Sequence, residues 1–207
     1  MTKNRSLIRR LGIYVAGLLI LALGVSLAAA SQLGVSALTA VPYVISEVTG
    51  MQFGTVTSIV FCVYVFLEWV LLGKNFKAAQ LLQIPCAVLF GRLVTLTSTV
   101  VGLWQFSGYF PRFLGLILSI LLTGVGIPVY LSADLIPQAA DGLVQTLAKK
   151  MGKKLSYAKN LFDIASVTLA IVLSYAFLGK LTGVREGTLI AAVGVGRVIA
   201  FLKRYVK

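Results

Sequence analysis

Six stretches of this chain, 11–31, 54–73, 79–103, 112–133, 157–178 and 187–204, are apolar over long unbroken runs. Each is close to the roughly 20 residues a helix needs to cross the hydrocarbon core of a bilayer. Nothing constrains a fold more. In hydrocarbon every backbone N–H and C=O must be satisfied internally, so only helices and closed barrels are allowed. A barrel would alternate apolar and polar residues, and these runs do not. Composition agrees: 58% of the 207 residues are hydrophobic and 12% are charged, where a soluble domain carries about a quarter charged residues. The sequence therefore predicts an all-α polytopic membrane protein with about six spans.

Two shorter and more polar segments, 35–49 and 137–150, each follow the first span of a half. The run Pro137-Gln138-Ala139-Ala140-Asp141-Gly142 cannot face lipid. We read both segments as re-entrant half-helices. Pro137 suits a first helical position, where its missing N–H is not needed, and Ser36 suits a cap. Gly50 and Gly152 suit C-terminal stops. Lys149, Lys150, Lys153 and Lys154 complement the negative end of the helix dipole. The N-terminal ends would then lie inside, where irregular backbone needs protein or water around it.

The chain also repeats itself. Leu71-Leu72-Gly73-Lys74 returns as Phe177-Leu178-Gly179-Lys180, and Gly91-Arg92 returns as Gly196-Arg197, with Ile84 matching Ile190. Gly24, Leu33, Ala37 and Gly50 return without a gap as Gly126, Leu135, Ala139 and Gly152. Two membrane repeats, 1–105 and 106–207, follow. Three crossings per half would make them inverted, a layout associated with transporters whose sites lie where the repeats meet.

Six crossings put Lys3, Arg5, Arg9, Arg10, Lys74, Lys77, Lys149, Lys150, Lys153, Lys154, Lys159, Lys203, Arg204 and Lys207 on one side. Arg112, Lys180 and Arg185 fall on the other. The heavy side should be cytoplasmic, so both termini would be too. Eight crossings divide the charge thirteen to four, nearly as well. The polarity of the short segments favours six. Lys3, Arg5, Arg9 and Arg10 before an apolar run ending Ala28-Ala29-Ala30-Ser31 resemble a secretory signal. That run is a full span long and more spans follow, so an uncleaved helix is the better reading.

Several function classes drop out. The net charge of +13 fits cytoplasmic loops and anionic lipid headgroups, not nucleic acid. The absence of histidine removes the usual acid–base group and the usual triad. No metal site or cofactor is expected, and no enzyme activity. Cys62 and Cys86 read as small buried hydrophobes. Gly194-Val195-Gly196 sits in a span, with no strand before it, and is not a dinucleotide loop.

The candidate site residues are few. Arg92 and Arg197 lie inside apolar helices at equivalent places, and an intramembrane arginine is a functional hypothesis by default. Each has a structural alternative in tying helix carbonyls or an acid together. Snorkelling is a further alternative for Arg197, which is near Lys203. Asp134 and Asp141 flank Pro137, and either would couple a proton; the alternative for Asp134 is to cap the helix, and for Asp141 to pair with Arg92 or Arg197. Glu68, near the end of its span and close to Lys74, reads as interfacial. Asp163 should pair with Lys159 four residues earlier. Two half-helix N-termini and two arginines favour an anionic ligand. Thr39, Pro42, Tyr43, Gln138 and Gln83 would add neutral contacts, or serve as ordinary packing residues.

Arg9-Arg10-Leu11-Gly12, the Gly24–Ala37 run, Ala37-Leu38-Thr39-Ala40-Val41-Pro42-Tyr43, Asp141-Gly142-Leu143 and Gly196-Arg197 together resemble the YczE/YyaS/YitT group of bacterial integral membrane proteins. The resemblance covers most of the chain. YitT-type members often carry an added soluble C-terminal domain, so this chain is more similar to the YczE branch. The resemblance implies a bacterial inner-membrane location and little chemistry. Because some members are linked to antibiotic or lipopeptide production, it also keeps an accessory role open. The expectation is a secondary transporter or permease for a small anionic solute. The alternative is a non-transporting membrane partner that docks a cytoplasmic enzyme complex through 149–159. The bilayer and the solute are the expected partners, with a homodimer or a cytoplasmic protein partner left open.

Overall fold

The structure is a computed structural model that describes residues 6–104 and 106–205. Lys3, Arg5 and Lys207 of the charge count lie outside the described residues, as does the expected repeat boundary at 105. Eight α-helices follow one another: α1 Leu7–Ser31, α2 Ala37–Thr49, α3 Phe53–Leu72, α4 Gln83–Gly102, α5 Tyr109–Leu131, α6 Ala139–Met151, α7 Leu155–Leu178 and α8 Glu186–Tyr205. Two short 3₁₀ segments, Gly73–Asn75 and Ala78–Leu82, connect α3 to α4. There is no strand among the described residues. The order long, short, long, long therefore occurs twice, and every helix falls on a segment expected from the sequence.

Five helices are long and apolar enough to cross a membrane: α1, α3, α4, α5 and α7. The last expected span, 187–204, does form α8, but Glu186, Arg197, Lys203 and Arg204 take it out of that set. At 13 residues each, α2 and α6 are about 20 Å long, short of the roughly 30 Å hydrocarbon core. Gly152 closes α6 in the left-handed conformation, with φ 61°, and Gly50 stands beyond α2 at φ 69°. Lys149 and Lys150 occupy the last turn of α6. One detail differs from expectation. Gln138, not Pro137, borders the helix: it is the N-cap and α6 opens at Ala139.

The outward surface is that of a protein in lipid. On α3, Ile59, Val63, Phe66 and Val70 are all exposed. Thr57, Phe61, Tyr64 and Glu68, on the other face, are all buried. Exposure here is to whatever surrounds the chain, and apolar patches of this extent mark a membrane or partner surface. Trp69 and Trp104, exposed near helix ends, suit the membrane–water interface. The protein is a multi-pass membrane protein.

The chain divides into two compact units, 1–36 with 93–135 and 182–207, and 37–92 with 136–181. Each draws on both halves of the sequence. In the first unit α1 and α5 are the central pair, α8 packs on α5, and Ser26 of α1 hydrogen-bonds Thr97 (2.7 Å) and Ser98 (2.9 Å) of α4. The α1–α5 pair is antiparallel, since Gly17 meets Tyr130 while Gly24 meets Thr123. Glycines set the spacing. A Cβ on Gly24 would lie 2.8 Å from the Thr123 nitrogen and 3.0 Å from the Ser119 oxygen. A Cβ on Gly126 would lie 2.7 Å from the Leu21 nitrogen and 3.0 Å from the Gly17 oxygen. Between lipid-soluble helices such close approach replaces the hydrophobic driving force.

The second unit is a bundle in which α2 packs on α3 and α7, and α6 packs on α7 and α3. Each short helix thus touches both long ones. α7 offers them Ala158, Phe162, Ser166, Ala170 and Ser174, one residue per turn and all buried. Phe61 stacks on Phe90 of α4 at 5.8 Å, and Tyr64 meets Phe162 edge-on at 5.4 Å.

Candidate functional site

The polar centre of the second unit is Glu68. It lies in the last turns of α3 and is 2% exposed. It continues the buried stripe of Thr57, Phe61 and Tyr64, because spacings of four, three and four residues keep one helix face. Its interfacial reading therefore gives way: the side chain turns into the bundle rather than out to the headgroups. Three neutral donors hold its carboxylate. Gln80 Nε2 donates to Oε1 at 2.5 Å, Thr146 Oγ1 donates to Oε1 at 3.0 Å, and Gln83 Nε2 donates to Oε2 at 2.9 Å. No lysine or arginine among the described residues forms an ion pair with it.

The helices explain this convergence. Gln80 belongs to the 3₁₀ turn, and its Oε1 accepts the Lys77 N–H at 2.8 Å. Both ends of that amide are fixed, so its orientation follows from the network. Gln83 opens α4 on the same stripe as Ala87, Phe90, Val94, Thr97 and Val101, all buried. On α6, Gly142 and Thr146 are spaced by four and share one face, with Gln138 as the N-cap four residues earlier. Gly142 is what lets that face close. A Cβ there would stand 2.8 Å from both Gln83 amide atoms and 2.9 Å from Glu68 Oε2.

Two buried polar atoms on these residues have no hydrogen-bond partner, Gln83 Oε1 and Gln138 Nε2. A buried polar atom without a partner costs about 1–3 kcal/mol, and in a site it marks where a ligand atom or proton would go. With Gln83 Nε2 committed to Glu68, the open atom of that amide is its oxygen.

The expected site residues distribute unevenly. Thr39 (1% exposed) and Gln138 (4%) are buried at the N-terminal ends of α2 and α6. Pro42 is buried inside α2; lacking an N–H, it leaves the Leu38 carbonyl without its usual helical donor. Tyr43 meets Phe53 edge-on at 5.5 Å. Asp141 is in the first turn of α6, where a negative charge complements the dipole. Asp134 has a left-handed φ of 49° and a side chain 78% exposed, 3.7 Å from Arg10. The Arg10 guanidinium also donates to the Asp134 and Ala133 carbonyls. That places Asp134 beside the first turn of α1 rather than at the inner end of a short helix.

Arg92 and Arg197 are both exposed, so neither is the buried charge expected from its place in an apolar run. The physical reason is register: on α4 the residues facing inward are 83, 87, 90, 94, 97 and 101, and 92 falls off that face. Neither arginine hydrogen-bonds or pairs with another described residue. Lys159 and Asp163 do pair, at 2.9 Å. Cys62 and Cys86 are free thiols, half-buried. No cluster of three metal-ligating side chains occurs among the described residues.

The family model described as "Family of unknown function (DUF6198)" matches residues 8–204, nearly the whole chain. An uncharacterised membrane family is compatible with the YczE-type resemblance, which the match does not itself name. No curated protein and no solved structure matches the chain. The chain belongs to the DUF6198 family.

Proposed function

We propose that this member of the DUF6198 family is a secondary transporter or permease of the bacterial inner membrane for a small anionic solute. In this reading it has six crossings, two inverted repeats and two short helices that stop inside the membrane. The observation that carries it is the α1–α5 pair. The contacts of Gly24 with Thr123 and Ser119, and of Gly126 with Leu21 and Gly17, are exchanged by one shift of 102 residues. That shift is the one relating Gly24 to Gly126, Leu33 to Leu135 and Ala37 to Ala139 in the sequence. Equivalent helices running antiparallel imply an axis in the membrane plane, which favours an odd number of crossings per half. The second bundle supports the same symmetry, because α2 on α7 corresponds to α6 on α3.

The solute is proposed from charge. An arginine in mid-helix, uncovered by protein, costs about 2.5–3.5 kcal/mol on insertion scales. Water or an anion beside Arg92 and Arg197 relieves that cost. The N-terminal ends of α2 and α6, with Thr39, Pro42, Tyr43 and Gln138, would contribute partial positive charge and neutral contacts. Asp141 and Asp134 are proposed as structural or proton-coupling groups. The test is uptake of labelled inorganic phosphate and small mono- and dicarboxylates by vesicles containing the purified chain. Arg92→Gln should abolish uptake while leaving folded protein in the membrane. Normal uptake by that variant removes Arg92 from the site, and no uptake of any of the anions by the wild type removes the anionic assignment.

One observation favours a second reading, that of a docking partner for a cytoplasmic enzyme complex. Lys149, Lys150, Lys153 and Lys154 are all exposed around the end of α6. Reversing those four charges separates the two readings. Function lost with both arginines intact supports docking.

A further inference from the structure

The carboxylate of Glu68 is buried yet balanced only by neutral donors, and the amide beside it carries an acceptor with no hydrogen. An ionised carboxylate away from water is costly unless paired. Here the lone-pair positions are filled unequally. A carboxylate offers about four acceptor positions, two per oxygen. Oε1 already takes two hydrogen bonds and Oε2 takes one. The open position on Oε2 and the open Gln83 Oε1 both border the space left by the missing side chain of Gly142. The cluster has hydrogens from three donors and lacks one.

We propose that Glu68, rather than Asp141 or Asp134, binds the coupling proton, with Gln83 as the amide that follows its charge. This deepens, and rests on, the transporter reading. In the deprotonated state Gln83 Nε2 donates to Oε2, as the structure has it. When a proton arrives from water, an O–H bond forms on Oε2 and the negative charge is lost. A half-turn of the Gln83 amide then presents Oε1 to that hydroxyl, which donates to it. Loss of the proton to water breaks the O–H bond, restores the carboxylate and reverses the turn. Both charge states are thus hydrogen-bonded at Oε2, which makes the pair bistable.

A metal cation fits less well than a proton, because all three donors point hydrogens at the carboxylate. The other charged or titratable groups on this part of the bundle are Tyr43 and Glu47 on α2, Cys62 and Tyr64 on α3, Lys74 and Lys77 in the connection, Cys86 and Arg92 on α4, Asp141, Lys149 and Lys150 on α6, and Tyr157, Lys159, Asp163 and Tyr175 on α7. Lys150 spends its ammonium on the Leu71 carbonyl at 3.2 Å.

The experiment is infrared difference spectroscopy of the full chain in phospholipid vesicles as pH is lowered. A carboxylic-acid carbonyl band should appear, vanish in Glu68→Gln, and persist in Glu47→Gln and Glu186→Gln. In Gln83→Leu the band should move, because its acceptor is gone. A spectrum unchanged by Glu68→Gln overturns the proposal, and so does a band unmoved by Gln83→Leu. Should Glu68→Gln not accumulate, Thr146→Val keeps the carboxyl and removes one donor. An unmoved band in that variant is equally fatal. Anion uptake is scored separately. A Glu68 band without uptake defeats the transporter reading and leaves the proton site standing. Uptake without the band defeats the proton site alone.

Discussion

At the scale of single residues, the Glu68 cluster shows how a glycine can be a polar residue's partner. The nearest atoms a methyl on Gly142 would meet are the far ends of two side chains, so the amide and the carboxylate must part. Gly142→Ala should therefore destabilise by about 1–3 kcal/mol, the cost of an unpaired buried polar group. Thr146→Val removes one donor of three and should cost less, on the order of 0.6 kcal/mol. Denaturant titration of the purified protein measures both, and a Gly142→Ala variant as stable as the wild type would show the bond contributes nothing. Part of this was legible. Gln83 stands out in the sequence as a neutral contact, and the spacing Thr57, Phe61, Tyr64, Glu68 is readable as one face. What hid Glu68 was its place near the end of a mostly apolar helix, with Lys74 six residues on. Gln80 and Thr146 carried no signal, because their role depends on where α6 comes to rest.

At the scale of elements, helix positions were written plainly, since apolar runs bounded by Gly and charge leave little choice. Which way a helix faces was not. Arg92 sits in α4 among residues apolar on every side, and only the seven-residue rhythm Gln83, Phe90, Thr97 with Ala87, Val94, Val101 reveals the inward face. The glycines of α1 and α5 give this scale its prediction. Gly24→Leu and Gly126→Leu each drive a side chain into backbone of the partner helix, and overpacking of that kind costs about 1–3 kcal/mol. The two losses should be similar, because the contacts are equivalent. Gly12→Leu, with nothing within 4 Å, should be neutral. Unequal losses at Gly24 and Gly126 would count against the symmetry.

At the scale of the whole molecule, the sequence repeat and the compact units divide the chain differently. The proposed repeats run along the chain, whereas the first unit holds α1 with α5 and the second holds α2 with α6 and α3 with α7. Six crossings with inverted halves would make Asn75 and Thr182, which lie in corresponding loops, emerge on opposite sides. With Cys62→Ala and Cys86→Ala as background, single cysteines at those positions and a membrane-impermeant thiol reagent on intact cells should label Thr182→Cys alone. Labelling of both would mean parallel halves, and the proposed inward-pointing helix ends would go with them.

The separation of Glu68 from Thr146, 78 residues along the chain, also has a meaning in time. Synthesis at about 5–20 residues per second takes roughly 4–16 s to cover that stretch. Gln80 and Gln83 arrive almost at once, yet α3 enters the bilayer before the helix that completes its polar shell has been made. The newborn protein therefore passes through an interval in which an acid is half-solvated in lipid. A chain interrupted before α6 should be recognised as unfinished and degraded faster than one interrupted after it.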